Sequence, residues 1–300
     1  MAKTTTNLGL TKPEYTEAAD IGVINSNMDV IDAAVQEVRA GVASVGDAMQ
    51  KRDRVYDLLD NSDWRNPVNQ RGATNGNYTW GFILDRWQAN GNSFVLSADG
   101  ITVPPSGRVV QRIAKGVIDG EKAHTGVAVS SAGATYINAN RAVTITVNTN
   151  NGGYDEVIVQ NTGTVAVTVA YVALYEGEYT AETVPAYVPK GYAAEMHECM
   201  RYYVRFPSNS QLTIIGYGYS ATAGRFSIPV GVQMRAAPEL TFSNLSSCAI
   251  YPGAVVPTGV GGVSMSGPIV TFGLTAASGI TANAPAVLRP GTTVELSADL

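Results

Sequence analysis

Apolar residues recur at Ile24, Met28, Ile31, Val35, Val38, Val42, Val45 and Met49, in steps that alternate between four and three. This is a heptad seam held for more than three repeats, and it predicts a coiled-coil helix over residues 21–59. With Met28, Val35, Val42 and Met49 at position a, position d holds Ile24, Ile31, Val38 and Val45. Two-stranded coils favour leucine at d, whereas β-branched residues at both positions favour three or four strands. Gly41 and Gly46 weaken the helix by about 1 kcal/mol each relative to alanine. The competing reading is an amphipathic helix packed on its own domain. No second long helix is legible in the chain to serve as its partner, so the expected partner is another copy. The register runs on through Arg52 to Tyr56 and Leu59.

Beyond Leu59 the period shortens to alternating runs broken by turns. FVLSADGITV (94–103) predicts a hairpin turning at Asp99-Gly100. Residues 141–175 predict three strands, with Val143, Ile145 and Val147 on one face, and with Asn151-Gly152-Gly153 and Asn161-Thr162-Gly163 as turns. Strands at this spacing without intervening helices argue for a jelly-roll β-sandwich over residues 60–182. Three prolines in TVPAYVPKGY (183–192) make an extended linker, which with a connector helix reaches residue 205. A second β region, a sandwich-like head over residues 206–300, has strand candidates at 211–219, 225–233, 239–243, 248–251, 268–274 and 292–297. The expected class is therefore mainly β, with residues 1–20 as a separate leading segment.

Charge excludes several functions. The net charge of −5 offers no electrostatic grip on nucleic acid or an anionic membrane. No run of some 18 apolar residues is present to insert in a membrane, and the first residues lack a signal-peptide core, so Sec-type export is not expected. Two cysteines make no disulfide framework. Residues 240–288 hold no Asp, Glu, Lys, Arg or His at all. So long an uncharged stretch suits burial between subunits, or contact with a neutral ligand through hydroxyls and backbone amides.

AAEMHECMRYY (193–203) gathers His197, Cys199, Glu195 and Glu198, the residue types of metal and thiol sites. Position 201 is arginine, where a zinc-protease helix needs its second histidine, and His124 is remote in sequence from any Cys199 thiolate. The stretch reads as a short helix with Met196, Cys199, Met200 and Tyr203 on its apolar face, Glu195, Glu198 and Tyr202 opposite, and Glu198 within reach of Arg201. No metal, cofactor or catalytic residue is expected. YTWGFILDRWQ offers Trp80, Asp85, Arg86 and Trp87 as a sugar-binding cluster, against the reading that Trp87 is core and Asp85 and Arg86 are paired or at a turn. GYGYSATAGR (216–225) is expected to be a loop carrying Tyr217, Tyr219, Ser220, Thr222 and Arg225, aromatic faces and hydroxyls suited to glycan contact. Residues 253–267 are glycine-rich, lack the lysine of a phosphate loop, and are expected to be a flexible loop.

Three stretches carry a family resemblance. TTNLGLTKPEYTEAADIGVINSNMDVID resembles the N-terminal segment of tail-fibre proteins from phages and prophages of gut bacteria. LLDNSDWRNPVNQRG, followed by DRW, is similar to the opening of the jelly-roll domain in such fibres. YVPKGYAAEMHECMRYYVRF with FSIPVGVQMRAAPEL is similar to their connector before a distal β-domain. The resemblance implies a virion protein made in the host bacterial cytoplasm, trimeric, attached to tail or baseplate proteins through residues 1–20, with its head turned toward a bacterial surface glycan or other receptor. It implies no catalytic residues. The alternatives are a structural fibre or adaptor without host contact, and a polysaccharide depolymerase. The latter needs a carboxylate pair in a cleft, and none lies between Glu239 and Glu295.

Overall fold

The computed structural model describes residues 3–12, 21–54, 56–138, 142–149, 152–208 and 211–299, with backbone alone at Lys3 and at 43–54. The chain divides into two compact units, Met1–Tyr56 and Asp57–Leu300. The described residues are mainly β, paired antiparallel throughout, and carry one long helix near the N-terminus.

In the first unit, strands β1 (Lys3–Thr4) and β2 (Thr11–Lys12) form a small hairpin, and helix α1 spans Ile21–Arg54. The Asn27 side chain holds the hairpin by both accepting from the Thr11 N–H and donating to its carbonyl, each at 2.9 Å. The hairpin lies along one flank of α1 and leaves the heptad residues uncovered. Exposure runs from 37% at Ile31 and 41% at Val35 to 65% at Val38 and 67% at Val42. Leu8, Ile31, Ala34, Val35 and Val38 bound an open apolar hollow. The side chains of Val45 and Met49, and residues 13–20 of the leading segment, lie outside the described residues. The helix stops at Arg54, short of the expected residue 59. Leu59 instead is fully buried in the core of the second unit, while Tyr56 is exposed.

The second unit opens with nine strands: β3 (Gly76–Leu84), β4 (Trp87–Ser97), β5 (Gly100–Val103), β6 (Arg108–Ala114), β7 (His124–Ser130), β8 (Thr135–Ile137), β9 (Val143–Asn148), β10 (Tyr154–Asn161) and β11 (Val167–Glu176). They pair in the order β8-β7-β11-β5-β4-β6-β10-β9, with β3 also on β4. Strand β4 belongs to two partners: residues 87–90 pair with β6 and residues 95–97 with β5. The sheet folds over there and encloses one core, which includes Leu59, Trp64, Trp87, Phe94, Val157 and Val172. Near its two ends Gly126 of β7 faces Ile145 of β9, so closely that a Cβ on Gly126 would lie 2.3 Å from the Ile145 side chain. Val143 and Ile145 are buried and Val147 packs on the core, as the alternation predicts. The β4–β5 hairpin pairs Ser97 with Gly100, so Ala98-Asp99 is the turn and Gly100, at φ 125°, leaves it. The expected Asp99-Gly100 turn is therefore one residue late. Of the expected turn at 151–153, Asn151 lies outside the described residues.

Helix α2 (Tyr192–Met200) leads into a second core built from β12 (Tyr203–Phe206), β13 (Ile214–Ser220), β14 (Ala223–Pro229), β15 (Glu239–Phe242), β16 (Ala249–Tyr251), β17 (Gly259–Ser266), β18 (Ile269–Thr275), β19 (Ala284–Arg289) and β20 (Val294–Ser297). A three-stranded sheet, β12-β20-β15, and a six-stranded one, β16-β19-β13-β14-β18-β17, supply a core that includes Phe226, Phe272, Leu288 and Leu296. Strands β12, β17 and β19 were not among the expected ones. Residues 259–266 form strand β17 and not a flexible loop: Ser266 pairs with Ile269 and Ser264 with Thr271. A bulge between Gly261 and Ser264, with Gly262 at φ 59°, breaks the alternation that would have marked the strand.

Candidate functional site

IIGYGYS alternates, and the structure makes physical sense of the alternation. A Cβ on Gly216 would lie 2.1 Å from the Arg225 carbonyl oxygen and 2.6 Å from the Phe226 ring. One on Gly218 would lie 2.3 Å from the Thr281 carbonyl oxygen. Only glycine fits the crowded face, so the intervening side chains stand on the open one. There Ile215 is 71% exposed, Tyr217 48% and Tyr219 55%. The tyrosines thus sit on strand β13 itself, and Arg225 on β14; the expected loop over 216–225 shrinks to a tip at Ala221-Thr222.

This tip is held from below. Ala276 and Ile280 donate backbone N–H groups to the carbonyls of Thr222 and Ala221, and Asn283 donates to that of Gly218. The Thr222 N–H donates to Ser220 Oγ at 3.2 Å. Across the ladder Tyr217 is in register with Arg225 on one side and Pro285 on the other. Tyr217, Tyr219, Ser220, Thr222 and Arg225 are therefore brought together on one exposed platform. Its charge is sparse: the six strands hold two arginines, Arg225 and Arg289, and no acidic residue. Such a surface can stack an aromatic face on a sugar ring and bond its hydroxyls with few ion pairs.

Trp80 is not part of that platform. It stands on β3 at a bulge, with φ 57° and 47% exposure. Its sequence neighbours are structural. Trp87 is fully buried, edge-on to Trp64 at 5.1 Å, and donates its indole N–H to the Asn61 carbonyl. Asp85 and Arg86 form the two-residue β3–β4 turn. Arg86 pairs with Asp60 at 3.0 Å and lies over the Tyr202 ring at 3.4 Å, and Asp85 faces Arg71 at 3.7 Å.

The His/Cys stretch is the connector helix α2. Cys199 is fully buried, and burial pushes its thiol far above the usual range, so it is no ready thiolate. His197 is exposed, and no cluster of three metal-ligating side chains occurs among the described residues. Three expectations need correction. Glu195 and Tyr202 are buried, 4% and 7% exposed, because that side of α2 faces the residues opening the first core. Glu198 pairs with Lys190 at 3.0 Å, the linker lysine lying closer than Arg201. Tyr203 has left the helix for β12. Burial raises the Glu195 carboxyl to about 7, against the Asn61 N–H and Lys190, which lower it.

No family model matches the sequence, and no curated protein or solved structure matches the chain.

Proposed function

We propose that this chain is a phage tail fibre or receptor-binding protein: a homotrimer held by a parallel coiled coil, with a jelly-roll sandwich and a distal head that recognises a bacterial surface glycan without cleaving it. The observation that carries this reading is the uncovered stripe of α1. A 34-residue helix with Ile24, Met28, Ile31, Val35, Val38 and Val42 all more than a third exposed needs other helices to cover it. The resemblance of residues 5–32 to fibre N-termini supplies the setting, with the leading hairpin at the virion and the head distal. Three linked heads make weak sites useful, since linkage raises avidity by about 10²–10⁴ when geometry lets the sites engage together. The platform around Tyr217 and Tyr219 has the exposure and composition of a sugar-binding face. No described helix is long and apolar enough to cross a membrane.

The test is binding of labelled full-length protein to a panel of candidate host cells. Wild type is expected to bind at least one strain, and Tyr217→Ala with Tyr219→Ala to lose most of that binding at unchanged oligomeric state. Full binding by the double variant would move the receptor site off this platform.

A further inference from the structure

Where β19 ends and β13 begins, the six-stranded sheet opens into a cleft of about 410 Å³. Ser208, Gln211, Leu212 and Thr213 line it on the approach to β13, and Arg289 and Pro290 at the end of β19. The loop beneath is held firmly. Thr292 is buried and its hydroxyl accepts from the Asn244 N–H at 3.0 Å, while Gly291, at φ 58°, lies so close to Ser247 that a Cβ would meet its carbonyl oxygen at 2.6 Å. The Arg289 guanidinium stands over the Tyr251 ring, 5.2 Å from its centroid. Among the described residues it has no carboxylate or hydrogen-bond partner, and the side chains of Ser208, Gln211 and Thr213 make no hydrogen bond either.

We propose that this cleft binds an anionic saccharide unit, a sugar ring bearing a carboxylate or a phosphate, with Arg289 taking the charge. A guanidinium already placed by a ring presents a planar fork that matches either oxyanion with two parallel hydrogen bonds. The free hydroxyls and the Gln211 amide suit ring hydroxyls, and Leu212 with Pro290 gives an apolar wall. The volume lies within the range of small-ligand sites, about 300–1,000 Å³. No carboxylate lines the cleft, and none lies in the six strands, so nothing in the sheet opposes an anion. This deepens the glycan-binding reading by naming the ligand's chemical class, and its test uses defined saccharides in place of cells so that the two readings fail separately.

Full-length protein is titrated calorimetrically with a hexuronate disaccharide, a hexose phosphate and the corresponding neutral disaccharide. At least one charged saccharide is expected to bind ten-fold or more tightly than the neutral one. Arg289→Gln should abolish that preference, Arg289→Lys should keep part of it, and Arg235→Gln, an exposed arginine outside both the cleft and the platform, should leave it intact. Equal binding of charged and neutral saccharides, or a charge preference that survives Arg289→Gln, would overturn the proposal.

Discussion

The Glu195 carboxylate accepts the Asn61 backbone N–H at 2.5 Å, joining α2 to the residues that open the first core, 134 positions earlier. Asn61 is itself buried and holds the carbonyls of Val68 and Asp85 through its amide, at 2.8 Å each. The DNSDW stretch, the DRW turn and the connector helix are thus one junction. Lys190 serves it from the linker, donating to the Leu59 carbonyl at 2.8 Å and to Glu198 at 3.0 Å.

That junction makes stability depend on pH. Burial raises Glu195 to about 7 and Asp57 to about 6, above ordinary values of 4.5 and 3.8. Folding therefore retains protons that the unfolded chain releases. The stabilisation from these two groups is complete below pH 4 and is lost as pH rises through 6 and 7. Wild type should unfold at lower urea at pH 8 than at pH 5. Glu195→Gln, which keeps an acceptor for Asn61, should remove on the order of 2 kcal/mol of that slope.

Arg71 also joins the two β regions of the second unit. Its guanidinium lies 3.7 Å from the ring centroids of both Phe82 and Tyr203, bonds to Asp299, and faces Asp85, which is 1% exposed. Arg71→Ala leaves that carboxylate without its cation and should cost about 3 kcal/mol in urea unfolding. Arg71→Lys should recover only part, since an ammonium cannot stack between two rings.

Strand β13 separates structural residues from those of the proposed binding face. Gly216→Ala forces a methyl against the Arg225 carbonyl and should destabilise by about 1–3 kcal/mol. Tyr217→Ala, on the open face, should change stability by less than about 0.5 kcal/mol while weakening cell binding. A Tyr217→Ala protein that unfolds early would make the ring a structural element.

Salt should matter little to that binding. With Arg225 and Arg289 the only charges on the six strands, raising salt from about 0.02 to 0.5 M should weaken binding by no more than about ten-fold. A collapse of a thousand-fold would place the contact on charged residues elsewhere.

What the sequence made legible was set by periodicity. The 3-4 spacing marks α1 because helix faces repeat, and Val143, Ile145 and Val147 mark β9 because strand faces alternate. Strand β17 was lost because its bulge shifts that alternation among glycines. The buried face of Glu195 was hidden for another reason: its partner is a backbone N–H 134 residues away, and no local pattern records such a contact. The platform tyrosines are legible as residues, but their strand is not, and residues 216–225 read as a loop. The glycines between them read as turn formers, when their role is to let Phe226 and Ile280 approach the backbone. Arg289 leaves no mark in any pattern, because what sets it apart is that among the described residues its guanidinium has a ring beneath it and no carboxylate.

The most direct measurement is sedimentation of the intact protein, with and without Val35→Asp and Val38→Asp. Wild type should sediment at about three times the 31.5 kDa chain mass. In the proposed trimer the double variant sets six carboxylates into the seam, and it should sediment as monomer with its β-cores still folded. A wild-type monomer or dimer would contradict the trimeric fibre, and a double variant that stays trimeric would contradict a seam on α1.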